Sequence, residues 1–198
     1  EAPTNVPAIP TATLMPTATP TATPLPLPLP FVDPLDSPTG WLPDGAWQFV
    51  PGTGLHGSSA WWAGSTQPTM NSTFTLTTPL DLRLALQPRL SFWQRGSLPA
   101  GDLASVELSL DGGLSWLALD LQPALPAEWT ERALDLTAFR GAVVLLRFRL
   151  QTTTPLAGSS SVADGWWLDQ LIVEDLPLPT STPWPTSERR SSARWCSS

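Results

Sequence analysis

Apolar and polar positions alternate with a period of two through much of residues 31–175. Residues 105–110 alternate serine or glutamate with valine or leucine, and residues 117–121 carry leucine at every second position. A turn containing Gly112-Gly113 lies between these two segments. Alternation on both sides of a glycine turn predicts a β-hairpin.

The same pattern predicts further strands along residues 31–175, and no long segment has a helical period. The additional strands are predicted at 46–50, 59–63, 73–77, 89–95, 129–136, 143–151 and 166–174. Only 137–141 has room for a short helical turn. About nine short strands separated by turn residues predict an all-β fold. We expect a two-sheet antiparallel β-sandwich or jelly roll.

Proline separates this region from both ends of the chain. Residues 1–30 hold nine of the 24 prolines, and residues 177–198 hold four. Proline fixes φ and removes a backbone donor, so we predict disordered, extended linkers at 1–30 and 176–198 that join neither ladders nor helices. Thr-Pro tracts are typical of extracellular stalks. No segment resembles a signal peptide. We expect a monomeric module at 31–175, within a longer secreted or cell-surface protein.

The charge of the predicted domain excludes one class of partner. Residues 31–175 contain 15 acidic residues and seven arginines, and the whole chain has a net charge of −7. Such a surface repels phosphate backbones and anionic lipid, so nucleic-acid binding is not expected. No stretch has the roughly 20 apolar residues of a membrane span, so membrane insertion is not expected either.

The sequence offers no recognisable catalytic group. The single histidine, His56, lies in a glycine-rich segment without an evident partner, and the single cysteine, Cys196, lies in the tail. General acid–base or nucleophilic catalysis needs a base positioned beside a nucleophile. We therefore predict that the protein is not an enzyme.

Tryptophan supplies the candidate ligand-binding residues. Nine of the 11 tryptophans lie within 31–175, including the adjacent pairs Trp61-Trp62 and Trp166-Trp167. Neighbouring residues on a strand point to opposite faces, so one member of each pair can reach the surface. Exposed indoles stack on sugars or anchor protein partners. Trp61, Trp62 and Trp166 are the predicted ligand-binding residues, and a core position for each stays open as the alternative.

Asp169 is the most informative acid. It lies in a strand-like segment in which one face carries Trp167, Asp169 and Leu171. If that face is inward, Asp169 is buried and must be paired or bind a metal. The alternatives are an ion pair with Arg147 or Arg149, a structural Ca²⁺ shared with Asp33 or Asp36, or an outward, solvated carboxylate.

The order of short motifs resembles a known bacterial domain. The motifs are Phe31-Val32-Asp33, Gly40-Trp41, Leu90-Ser91-Phe92-Trp93, Ser109-Leu110-Asp111-Gly112-Gly113-Leu114-Ser115-Trp116, Leu134-Asp135-Leu136 and Asp164-Gly165-Trp166-Trp167-Leu168-Asp169. Together they are similar to the MAM-like jelly roll found beside immune-inhibitor-A-type secreted metallopeptidases. The resemblance implies a jelly roll of the concanavalin or galactose-binding type and an extracellular accessory or adhesive role. It also implies a structural calcium held by Asp36 or Asp33 together with Asp169. The zinc signature of the peptidase is absent, so peptidase activity is not implied.

These observations predict a non-catalytic extracellular interaction or adhesion module that binds a glycan or a protein surface and is accessory to a larger protein. The alternative is a purely structural spacer beside a secreted peptidase or another hydrolase.

Overall fold

The computed structural model describes residues 25–64, 70–153 and 165–177, which contain twelve β-strands and two short 3₁₀ turns. The strands are β1 Phe31–Asp33, β2 Trp41–Asp44, β3 Trp47–Val50, β4 Ala60–Ala63, β5 Asn71–Leu76, β6 Leu80–Asp81, β7 Pro88–Ser97, β8 Leu103–Ser109, β9 Leu117–Gln122, β10 Thr130–Asp135, β11 Val143–Gln151 and β12 Gly165–Asp175. The 3₁₀ turns are Leu55–Gly57 and Thr137–Phe139. Neither turn has the length or apolar character needed to span a bilayer, and no other helix occurs in the described part of the chain.

The strands form two sheets. Sheet I has the order β10-β7-β12-β4-β3, with β1 paired to β12, and sheet II has the order β2-β5-β11-β8-β9, with β6 paired to β11. Every pairing between these strands is antiparallel. The predicted two-sheet antiparallel β-sandwich is therefore confirmed.

An aromatic core lies between the sheets, and alternation builds it. In β11 every second residue is buried, including Phe148, whose ring lies 5.0 Å from Phe92 and 5.6 Å from Trp166 of sheet I. Trp41 stacks on Phe74 within 4.4 Å. Burying one such side chain stabilises the fold by about 1.5–3 kcal/mol, so the inward faces of the strands hold the sheets together.

The predicted hairpin joins β8 to β9, and side-chain hydrogen bonds close its turn. The Asp111 carboxylate accepts hydrogen bonds from the Ser109 hydroxyl and the Ser115 amide, at 2.7 and 2.9 Å. The Trp116 indole donates to the carbonyl of Gly113, which has a positive φ of 95°. These contacts close the turn as the sequence pattern predicted.

A β-bulge changes the phase of β12. The register with β7 shifts after Asp169, where Gln170 has a φ of 44°. Before the bulge Trp166 and Leu168 face the core, and after it Leu171 faces the core. One extra residue in a strand reverses which positions point inward. The sequence analysis placed Trp167, Asp169 and Leu171 on one face of the strand, and that placement is wrong. Asp169 points away from the core, whereas Leu171 points into it.

The sandwich extends beyond the predicted domain limits. Leu27, placed in the linker by sequence, forms a ladder bridge with Leu80. At the other end the Leu176 amide donates to the Gln87 carbonyl at 3.0 Å. The expectation that residues 1–30 join no ladder is therefore wrong for Leu27, because its own amide and carbonyl remain available between two prolines. Residues 1–24 and 178–198 of the predicted linkers lie outside the described residues.

Candidate functional site

The outer face of sheet I carries a row of large side chains that crosses the strands. Trp167 of β12 lies opposite Arg95 of β7 and opposite Trp62 of β4, and Trp62 lies opposite Gln48 of β3. Trp129, just before β10, lies over Arg95. Neighbouring strands are about 4.8 Å apart, so this row, here called the tryptophan row, is about 19 Å long.

The row has a buried centre and accessible ends. Trp167 is only 2% exposed, and its ring lies 5.8 Å from the Trp62 ring at an interplanar angle of 34°. Trp62 and Trp129 are half-buried, and Gln48 is exposed. Two partly accessible indoles and one amide are thus arranged along a supported surface.

Arg95 is held in the middle of the row. Its guanidinium carbon lies 5.0 Å from the Trp129 ring centre and 5.1 Å from the Trp167 ring centre. Its Nη2 donates to the Thr53 carbonyl at 3.2 Å. Its Nε is buried and has no hydrogen-bond partner within the described residues. Two cation–π contacts and one hydrogen bond fix the orientation of this cation.

A second row runs beside the first. Trp93 of β7 is half-buried and lies opposite Glu131 of β10 and Asp169 of β12. Glu131 is exposed. The outer face of sheet I therefore adds a third accessible indole and one accessible carboxylate next to the tryptophan row.

Two of the three predicted ligand-binding tryptophans belong to the core instead. Trp61 is 2% exposed, with its ring 4.4 Å from Phe74, and Trp166 is fully buried. The Trp166 indole donates to the Gln94 amide oxygen at 3.0 Å. The prediction for Trp61 and Trp166 is therefore wrong, because in each adjacent pair the other residue faces outward. Trp62 does lie on the outer face.

The remaining members of the tryptophan row were missed by sequence reasoning. Arg95, Trp129 and Gln48 lie on three different strands or at their ends, and the order of strands in sheet I brings them together. Only the cross-strand register identifies these residues as neighbours.

Asp169 is buried although it points away from the core. Its Oδ2 accepts from the Leu55 amide at 2.7 Å and the Ser58 hydroxyl at 2.8 Å, and its Oδ1 accepts from the Gln170 amide at 2.8 Å. The loop containing the first 3₁₀ turn covers it, so its exposure is 0%. Desolvation raises the pKa of Asp169 above its usual value, and the nearby charge of Asp36 raises it further.

The predicted ion pair of Asp169 with Arg147 or Arg149 is wrong. Both arginines project from β11 on the outer face of sheet II and bind Glu107 of β8. Arg147 Nη2 lies 2.6 Å from Glu107 Oε2, and Arg149 Nη1 lies 3.3 Å from Oε1. Arg147 also lies 4.0 Å from the ring centre of Trp116. Asp169 is on the other sheet and uses neutral donors.

The two acids predicted to share a calcium ion with Asp169, Asp33 and Asp36, have different hydrogen-bond partners. The Asp33 oxygens accept from the Leu35 amide and the Trp41 indole, each at 2.8 Å. Asp36 Oδ1 accepts from the Ser59 amide at 2.7 Å, so Asp36 and Asp169 bind the same loop. Within the described residues, no cluster of three or more His, Cys, Asp or Glu side chains is arranged to hold a metal ion.

The fold resembles that of known binding domains. No protein-family model and no curated protein sequence matches the chain. The K1 cleaved adhesin domain of Lys-gingipain from Porphyromonas gingivalis has a TM-score of 0.54 and 17% identity, over 74% of this chain and 98% of that chain. The CBM22-2 xylan-binding domain from Paenibacillus barcinonensis has a TM-score of 0.50 and 14% identity, over 74% of this chain and 99% of that chain. At these identities the similarity shows a shared β-sandwich fold, and the resemblance to MAM-like domains stays a prediction.

Proposed function

We propose that the module is a non-catalytic glycan-binding domain and that the tryptophan row is its binding surface. The observation that carries this proposal is the alignment of two half-buried indoles, Trp62 and Trp129, with Arg95 and exposed Gln48 across five strands of sheet I. The shared fold with an adhesin domain and a xylan-binding domain supports it.

The chemistry of the row suits a sugar chain. Indole rings stack on the apolar C–H faces of pyranose rings and leave the hydroxyls at the edges. Gln48 can donate and accept hydrogen bonds with those hydroxyls, and Arg95 can donate. A row about 19 Å long is wider than one sugar, so we expect an oligosaccharide to bind across the strands.

The acids beside the row do not form a hydrolytic pair. Asp169 is fully buried and engaged by three donors, while Glu131 is exposed on the edge strand β10. Glycoside hydrolysis requires two carboxyl groups that both reach the scissile bond. This arrangement supports binding without cleavage.

We place the module in an extracellular or cell-surface protein, as an accessory to other domains. The Thr-Pro tracts in the flanking sequence support this setting.

A structural Ca²⁺ would be held by Asp36 and Asp169, whose neighbouring negative charges support the proposal. Calcium would neutralise these carboxylates and tie the loop at Leu55–Gly57 to β12.

The test is binding to a polysaccharide panel that includes xylan, measured by affinity electrophoresis. Trp62→Ala and Trp129→Ala should each weaken binding by about tenfold or more, since a central aromatic contact is worth about 2 kcal/mol. Trp116→Ala is the matched control, because Trp116 is half-buried on the other sheet. Equal loss in the control and in the row variants would contradict the proposed surface.

The structural spacer remains the second candidate. It predicts that all four tryptophans of the two adjacent pairs are buried. Trp61, Trp166 and Trp167 are at or below 2% exposure, and Trp62 is half-buried. If the wild-type module binds no polysaccharide on the panel, the spacer is favoured and the glycan proposal fails.

A further inference from the structure

A cavity of about 410 Å³ lies at the end of sheet I that is remote from the tryptophan row. It is bounded by the first residues of β7, the last residues of β10, the second 3₁₀ turn and the segment after β12, and its lining includes Gln87, Arg89, Asp135, Arg140 and Leu176. Its volume is within the range of small-molecule sites, about 300–1,000 Å³. We call it the end cavity.

The end cavity is separated from the tryptophan row along one strand. Arg89 and Arg95 both lie on the outer face of β7, six residues apart. A strand rises about 3.3 Å per residue, so the two arginines are about 20 Å apart. A ligand of monosaccharide size in the end cavity would therefore not touch the row.

Two guanidinium groups line the end cavity, and they differ in their pairing. Arg89 Nη2 binds Glu174 Oε1 at 3.0 Å, which holds the Arg89 side chain at the cavity wall. Arg140 is exposed and forms no ion pair with any residue that the structure describes. Guanidinium donors of this kind match the planar oxygens of a carboxylate.

The same cavity also offers acceptors and an apolar wall. Asp135 Oδ1 accepts from the Thr137 amide at 2.8 Å, and hydrogen bonds from Thr137 lower the pKa of Asp135, so this carboxylate is ionised near neutral pH. The Gln87 side chain supplies an amide. Leu86 and Leu176 form part of the apolar lining. The cavity thus combines positively charged groups, groups that can accept hydrogen bonds from hydroxyls, and a hydrophobic surface.

We propose that the end cavity binds a sugar acid, a hexuronate residue of a glycan. A simple carboxylate has no hydroxyls to donate to Asp135 and Gln87, and a neutral sugar would leave the Arg140 guanidinium unmatched. A hexuronate places its carboxylate against Arg140 and Arg89, its hydroxyls against Asp135 and Gln87, and the apolar face of its ring against Leu176. This inference does not depend on the tryptophan row.

The experiment is an NMR titration of ¹⁵N-labelled protein with galacturonate, with galactose as its neutral counterpart and acetate as a carboxylate without a ring. Galacturonate should shift the backbone amides of Leu86, Gln87, Arg89 and residues 133–140. Galactose and acetate should each bind more weakly by about tenfold, because each lacks part of the recognised group. Equal affinity of galactose, or of acetate, would overturn the proposal.

Variants separate this site from the row. Arg140→Gln should weaken galacturonate binding by about tenfold, while the matched control Arg83→Gln, whose partner Asp81 lies outside the end cavity, should not. Unchanged binding by Arg140→Gln, with native spectra, would overturn the proposal. The double variant Trp62→Ala/Trp129→Ala should bind galacturonate as the wild type does, even if it loses polysaccharide binding. Loss of galacturonate binding in that variant would place the acid on the row and refute the end cavity.

Discussion

Asp169→Ala is the substitution that most sharply tests how the loop at Leu55–Gly57 is fastened to sheet I. Asp169 is fully buried, and the Leu55 and Gln170 amides and the Ser58 hydroxyl all donate to it. Alanine removes all of these acceptors. The loop would lose its carboxylate anchor on β12, and the bulge at Gln170 would lose the hydrogen bond that closes it.

The magnitude follows from the donors left behind. The Ser58 hydroxyl also lies 2.7 Å from the Leu55 carbonyl and can donate there instead. Two backbone amides therefore remain without an acceptor, at about 1–3 kcal/mol each. Removing a desolvated charge offsets part of this. We expect a net loss of about 2–4 kcal/mol in the free energy of unfolding, and a smaller loss in Asp169→Asn, which keeps one acceptor oxygen.

Urea denaturation followed by tryptophan fluorescence measures this loss. Asp44→Ala is the matched control, because Asp44 is an exposed acid at the end of edge strand β2, and it should change stability by less than about 0.5 kcal/mol. If Asp169→Ala also stays within that limit, the anchoring role is refuted.

The same measurement with Ca²⁺ and with EDTA tests the proposed ion. Calcium should raise the free energy of unfolding of the wild type and not that of Asp169→Ala. Equal stability of the wild type in Ca²⁺ and in EDTA would contradict the proposed site.

Three further predictions concern stability. Gly54→Ala should lower the free energy of unfolding in urea by about 1–3 kcal/mol, because its Cβ would clash with the Ser59 carbonyl oxygen and lie 2.6 Å from Asp169 Oδ2; unchanged stability would contradict tight packing of this loop. The pKa of Asp169 is raised in the folded state, so its protonation contributes stability that is complete below the unfolded-state pKa of 3.8 and is lost as pH rises through the folded-state pKa. The free energy of unfolding of the wild type, relative to that of Asp169→Asn, should therefore increase on acidification. A difference that does not change with pH would contradict this. Glu107→Gln should cost about 1–3 kcal/mol, reduced from the fully buried case because the arginine side chains it binds are 18% and 25% exposed; a stability equal to wild type would refute its role.

The sequence was sufficient for the architecture where local pattern decides structure. Alternation in residues 105–110 and 117–121 located β8 and β9, and the Gly112-Gly113 turn located their connection. The strands β1 and β6 were missed because three and two residues carry too little periodicity to detect, and β2 was missed because Pro43 interrupts its pattern. Leu27 was missed because a ladder bridge between two prolines depends on a partner strand elsewhere.

The site was less predictable, because it depends on pairing and on one irregular residue. The bulge at Gln170 reverses the inward face of β12, and a glutamine with a positive φ has no signal in a single sequence. Asp169 is buried by a loop more than 100 residues earlier in the chain. Arg95 and Trp129 become neighbours of Trp62 only through the strand order of sheet I. Burial and ligand contact therefore had to be read from the fold.

The most direct test of the proposed glycan surface uses the indole N–H signals of the 11 tryptophans. In a ¹⁵N–¹H spectrum recorded during titration with xylooligosaccharide, or with whichever polysaccharide fragment the panel identifies, the signals of Trp62 and Trp129 should shift first. The signals of buried Trp61 and Trp166 and of Trp116 on sheet II should stay in place. A shift at Trp116 with none at Trp62 or Trp129 would contradict the account.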